Sequence, residues 1–202
     1  HMHAHILAHL IKGAHEKPII FPFLCLTVSG GHTQLVKVEG PKQMTVLGET
    51  IDDAVGEAFD KAAKILGLPY PGGPMIDKLA AEGNAEFLTF AKPNLPKYDF
   101  SFSGLKTSFL YTLQQKVKDH PNFVAEHLND ICASYQKALI DALMRKVKKA
   151  AKDTGIQNFA IAGGVSANSA LRKELKTWGA KHKLSIFVPP FEYTTDNAAM
   201  IG

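Results

Sequence analysis

Cysteine is scarce in this chain: Cys25 and Cys132 are the only two, and they lie far apart in apolar surroundings. That excludes a disulfide framework and points to a reducing, cytoplasmic compartment. No apolar run reaches the roughly 20 residues a membrane helix needs, so no membrane partner is expected, and no charged-then-apolar leader opens the chain. The phosphate-loop pattern G-x-x-x-x-G-K-[ST] is missing, and so is the H-E-x-x-H of zinc proteases. Internal repeats and low-complexity tracts are missing too. Charge of one sign is modest: 23 basic against 19 acidic residues leave a formal +4, which permits contact with a polyanion without requiring it. What is there, 46% hydrophobic and 21% charged residues over 202 positions, is ordinary globular material for one large domain or two small ones.

Strand and helix patterns alternate along the chain. Ile6, Leu7, Leu10 and Ile11 predict a helix over 1–13 that stops at Gly13. "FLCLTVS" and "TQLVKVEG" predict a strand pair, and "MTVLGE" a third strand. Thr50 with Asp53 three residues on predicts a capped helix start, with Gly67 and Pro69 as its stop. Its apolar stripe would be Ile51, Val55, Ala58, Ala62 and Ile65, with Asp53, Gly56, Glu57, Asp60 and Lys64 opposite. "YPGGP" predicts a turn before a short helix over 75–81. Helices follow over 105–117 and 124–153, the second ended by Gly155. "NFAIAGGVSANSALRKEL" reads as strand, Gly-Gly turn and helix, "LSIFVPP" as a strand, and "TTDNAAMIG" as the opening of a last helix. Because the early strands form a meander, the class is α/β with a mixed sheet.

Three places could do chemistry. "VSGGHT" and "IAGGVSAN" share a layout in which an apolar strand runs into Gly-Gly, with a Ser beside it. Bare backbone N–H groups and a helix start near Ser166 and Asn168 would favour an anion or a sugar hydroxyl; the competing reading is glycine that merely permits tight packing. His1 and His5 are four apart on a predicted helix, a spacing that suits two metal ligands, while exposed histidines or a tag remnant explain it equally well. Gly56 between Asp53 and Asp60 lowers helix propensity by roughly 1 kcal/mol, which implies close approach by another backbone or a ligand. "RKVKKAAK" (145–152) reads as a solvated helix face rather than a nucleic-acid patch.

The blocks "HMHAHILAHL", "VSGGHTQLV", "GETIDDAVGEAFDKAAKILGLPYPGGP", "DFSFSGLKT", "GGVSANSALR" and "TTDNAAMIG" occur in an order that resembles the bacterial TsaD family. Its members are tRNA N6-adenosine threonylcarbamoyltransferases, once labelled O-sialoglycoprotein endopeptidases. The resemblance covers nearly the whole chain. It implies the ribonuclease H-like, two-lobed fold of actin, sugar kinases and heat-shock chaperone ATPases. Residues 1–20 would end a first lobe whose earlier part is missing, and residues 21–202 would form the second lobe. His1 and His5 match the family's metal-binding histidines and Asp196 its third protein ligand, for one divalent ion, iron or zinc. Thr27, Val28, Ser29, Gly30 and Gly31 match the stretch bordering the substrate, with His32 just after it as a candidate for proton handling. Asp60, Gly73 and Asn168 match the remaining substrate-contacting positions. One departure stands out: His3 occupies a place where the family usually carries an acid.

The implied reaction is acyl transfer. The exocyclic amine of the adenosine beside the tRNA anticodon attacks the carbamoyl carbon of threonylcarbamoyl-AMP, and AMP leaves. The nucleotide ligand would be that adenylate or ATP. The implied partners are tRNA, a small TsaB-like paralogue and a TsaE-like accessory ATPase. No residue stands out as a general base, and Ser103 and Lys106 in "SFSGLKT" form a signature without an evident role. Lacking part of the nucleotide cleft, these residues alone would be inactive. Two alternatives compete. A metal-dependent glycoprotein endopeptidase would need an acid beside the metal, where His3 stands. A sugar-kinase-like phosphotransferase or ATPase would need carboxylates on Mg²⁺.

Overall fold

The segment FLCLTV forms β1 (Phe23–Val28), buried along its whole length. A strand covered on both faces needs apolar residues on both, which is why this run lacks alternation. Leu24, Leu26 and Val28 enter the larger core, while Phe23 and Cys25 enter a smaller one on the opposite face. The structure is a computed structural model that describes residues 2–11 and 13–195.

β1 is the middle of a five-stranded sheet in the order β3-β2-β1-β4-β5. β2 (Thr33–Gly40) and β3 (Gln43–Glu49) continue it as an antiparallel meander, while β4 (Asn158–Ala162) and β5 (Ser185–Phe187) join in parallel. The sheet is therefore mixed, as the meander implied. Burying each large aliphatic side chain of β1 contributes about 1.5–3 kcal/mol.

The larger core lies under α2 (Val55–Ile65), α3 (Gly72–Ala80), α4 (Ser103–Asp119), α5 (Phe123–Glu126), α6 (Leu128–Thr154) and α7 (Ser169–His182). Phe90, Phe109 and Tyr135 meet there as an aromatic cluster, with the Phe109 and Tyr135 rings 4.3 Å apart. The other face carries α1 (Met2–Leu7), whose Ile6 packs with Ile19, Cys25, Val36, Ala160 and Phe187.

Four local expectations need correction. The helix predicted from Thr50 starts at Val55. Thr50 is held instead as a continuation of the sheet: its N–H donates to Thr33 O at 2.9 Å and its hydroxyl to Asp53 O at 2.6 Å. Ile51, placed in the apolar stripe, is 64% exposed. The first helix is shorter than 1–13, giving way to a 3-10 turn over Ala8–Leu10. The long helix predicted over 124–153 is split at His127, and Gly155 ends its second part with φ +69. Within 145–152, Lys146 is not solvated: it is buried and donates to Leu95 O at 2.6 Å and Lys97 O at 3.1 Å. The helix expected from "TTDNAAMIG" lies, after Thr195, outside the described residues.

Candidate functional site

β1 and β4 are parallel neighbours, paired from Leu24↔Phe159 to Thr27↔Ala162. Their carboxyl ends therefore stand side by side, and each runs into a Gly-Gly loop. In sheets of this kind, ligands bind in the crevice outside such ends.

The first loop, Ser29 to His32, is closed by its own backbone. Ser29 N–H donates to His32 O at 2.8 Å, and His32 N–H donates to the Ser29 hydroxyl oxygen at 3.0 Å. It is fastened to the start of α2 twice. Gly56 N–H donates to Ser29 O at 3.2 Å, and Val55 N–H donates to Thr33 Oγ1 at 2.9 Å. Thr33 thus supplies the N-terminal cap that Ala54 cannot. A Cβ on Gly56 would lie 2.5 Å from Ser29 O, so the close approach expected there is made by another backbone.

The second loop begins at Gly163, whose φ of +87 and ψ of 169 are open essentially to glycine alone. A Cβ there would sit 2.4 Å from Val28 O. A 3-10 turn, Gly164–Ala167, follows. Asn168 then caps α7, its Oδ1 accepting from Leu171 N–H at 2.9 Å and its Nδ2 donating to Gln136 Oε1 at 2.7 Å. Arg172 ties this loop to the next segment. Its Nε donates to Ser166 O at 2.6 Å, its Nη2 to Pro189 O at 3.1 Å, and its guanidinium lies 4.2 Å from the Phe191 ring centre.

Between the loops and the α2–α3 corner lies a cavity of about 750 Å³. It brings together Gly30, Asp60, Gly73 and Asn168. Asp60 also accepts from Gly72 N–H at 2.8 Å, bracing the first turn of α3. Thr195, the last described residue, lines the same cavity. Thr27 and Val28 do not reach it: both are wholly buried in β1, and Ser29, Gly31 and His32 stay outside its lining. His5 is buried on α1, whereas His1 and Asp196 lie outside the described residues, among which no group of three metal-ligating side chains occurs.

A family model described as TsaD, tRNA N6-adenosine threonylcarbamoyltransferase, matches residues 1–202. The chain belongs to the TsaD family. Relatives carrying that description include one from Christiangramia forsetii, 61% identical over 203 residues, and one from Riemerella anatipestifer, 57% identical over 202. A more distant one, from Thermosipho africanus, is 48% identical over 204. All of this chain is covered in each case, but the chain spans only 59% of each of these TsaD relatives. Among solved structures, full-length HypF in a phosphate- and nucleotide-bound form superposes with a TM-score of 0.67, over 93% of this chain and 39% of HypF, at 12% identity. Component A of the Acidaminococcus fermentans (R)-2-hydroxyglutaryl-CoA dehydratase gives 0.50, over 99% and 62%, at 15% identity. These likenesses establish the fold alone, that of the actin, sugar-kinase and heat-shock chaperone ATPases.

Several residues that matter to the site escaped the sequence reading. Asp77, at the cavity, accepts from both Ser169 N–H at 2.9 Å and Ser169 Oγ at 2.8 Å, locking α3 to α7. The "SFSGLK" signature acquires a role. Asp52 accepts from Ser101 Oγ, Ser103 Oγ and Phe102 N–H at 2.5–2.8 Å, and these bonds hold its carboxyl below the usual range against the opposing effect of partial burial. Asp53 is gripped by Lys61 at 2.8 Å and Lys106 at 3.3 Å. Together they fix the turn that leads into α2. On the other face, His9 is buried, with Nδ1 2.8 Å from His15 Nε2 and Nε2 2.9 Å from Ile161 O on β4. Burial first, then His15, push the His9 pKa down to about 4. The visible hint was the run of histidines, but nothing local paired His9 with His15.

Proposed function

We propose that this chain supplies the adenylate-binding part of an enzyme that transfers the threonylcarbamoyl group from threonylcarbamoyl-AMP to N6 of the adenosine beside the anticodon in tRNA. One observation carries the reading: the cavity outside the carboxyl ends of β1 and β4, where Gly30, Asp60, Gly73 and Asn168 converge.

Each residue then has a part. Nothing lies within 4 Å of a Cβ built on Gly30, Gly31 or Gly164, so the room there is left for a ligand rather than filled by the fold. Bare N–H groups in these loops suit a phosphate. Asp60 gives one oxygen to Gly72 and keeps the other for a ribose hydroxyl. Asn168 has one amide hydrogen beyond the bond to Gln136, enough to orient the sugar. Because the attacking amine's lone pair is delocalised into the purine, positioning and polarisation of the carbonyl supply most of the acceleration. His32, exposed where the first loop closes on Ser29, is the candidate for proton handling.

The metal belongs to the same reading. Two imidazoles and one carboxylate, His1, His5 and Asp196, are a donor set suited to iron or zinc. Bound there, such an ion supplies Lewis-acid stabilisation to the carbamoyl or carboxylate group of the donor. On this reading the partners are tRNA, a small TsaB-like paralogue and a TsaE-like ATPase.

Calorimetric titration with AMP tests the proposal. Asp60→Ala is expected to weaken binding by roughly tenfold, the worth of a hydrogen bond to a charged group. Unchanged affinity would refute the site. Asp196→Ala should lose metal and transfer activity together in the full-length enzyme.

A further inference from the structure

The cavity has one feature that the reading above leaves unused. Tyr70 stands at its lip and is 85% exposed. Tyr70 also lines a smaller neighbouring cavity of about 280 Å³, so it borders both. A tyrosine this exposed contributes little to the core, and its placement is explained by what it can present: a flat π face with a polar tip.

We propose that Tyr70 is the platform on which a purine ring stacks at this cavity. The inference rests on the adenylate reading and extends it to the base. Charge orients the ligand. Asp60, Asp77 and Glu82 line the cavity against a single cation, Lys78, so its α3 side repels a phosphate. The phosphate must lie instead toward the bare backbone of Gly30 and Gly164. That leaves the neutral heterocycle at the α3 end, where Pro71, Pro74 and Ala81 give an apolar wall and the Glu82 carboxylate can accept from an exocyclic amine. Base–aromatic stacking needs no sequence-specific contact, only an accessible ring.

A purine can come from two sources, the donor adenylate or the acceptor adenosine of an RNA, and the experiment separates them. The chain and its Tyr70→Ala, Tyr70→Phe and Tyr70→Trp variants are titrated with AMP by calorimetry, and with a labelled anticodon stem-loop RNA by anisotropy. Tyr70 is exposed, so all three variants should fold; thermal melts check this. Tyr70→Ala should lose roughly tenfold in affinity, while Phe and Trp stay within about threefold of the parent. A loss confined to AMP assigns the ring to the donor base, and one confined to the RNA assigns it to the acceptor. Tyr70→Ala with unchanged affinity for both, while Asp60→Ala weakens AMP binding, overturns the platform and leaves the adenylate site standing. A parent chain that binds neither ligand overturns both.

Discussion

The two Gly-Gly loops look alike as letters, yet they are built on opposite logic. In the second, Gly163 is required by the fold, because its backbone conformation is glycine's own and Val28 O occupies the space of a side chain. In the first, Gly30 and Gly31 have ordinary φ values and open space where a Cβ would go. The first loop takes its shape from α2, through Thr33 and Gly56, whereas the second takes its shape from Gly163, Asn168 and Arg172. Glycine serves packing at Gly163 and vacancy at Gly30, Gly31 and Gly164. Only the vacancy needs a ligand to explain it.

The comparison is most exposed at Gly163. Gly163→Ala should cost about 3–5 kcal/mol, combining backbone strain with a steric clash, as read from urea unfolding. A mild effect would erase the distinction between the loops. Next comes the support beneath the second loop. His9 in the folded chain resists protonation until about pH 4, whereas the unfolded chain takes up that proton near 6.5. Its contribution is therefore complete above pH 6.5 and is lost as the pH falls toward 4, about 3 kcal/mol in all. His9→Gln should remove that part of the acid slope in denaturation curves, and an identical slope in parent and variant would rule the effect out. Asn168→Ala should lose about 1 kcal/mol with its helix cap, measured the same way. The smallest stability effect is expected in the first loop. Gly30→Ala should stay within about 0.5 kcal/mol of the parent yet weaken AMP binding, a split that packing alone would not produce.

What the sequence revealed follows the range of the forces involved. The strand-to-glycine transitions at Val28 and Ala162 were legible because an apolar run followed by Gly-Gly is a local signal. Gly56 was legible for the same reason, since glycine inside an amphipathic helix has a local cost. The pairing of β1 with β4 was not, because it joins segments at opposite ends of the chain across all the intervening helices. Asp52 and Ser103 lie 51 positions apart, so neither predicts the other, and the helix boundary at Thr50 was misplaced because a tertiary cap, Thr33, replaced the local one. The candidate site residues came from the family resemblance. Their spacing alone gave no sign that Gly30, Asp60, Gly73 and Asn168 would share one cavity.

Thr33 has a consequence for motion. It belongs at once to the strand leaving the first loop and to the mouth of α2, so neither can breathe alone. The amides of Ser29, Val55 and Gly56 should exchange with solvent as a single opening unit, and a molecule seated against Gly30 would slow all three together.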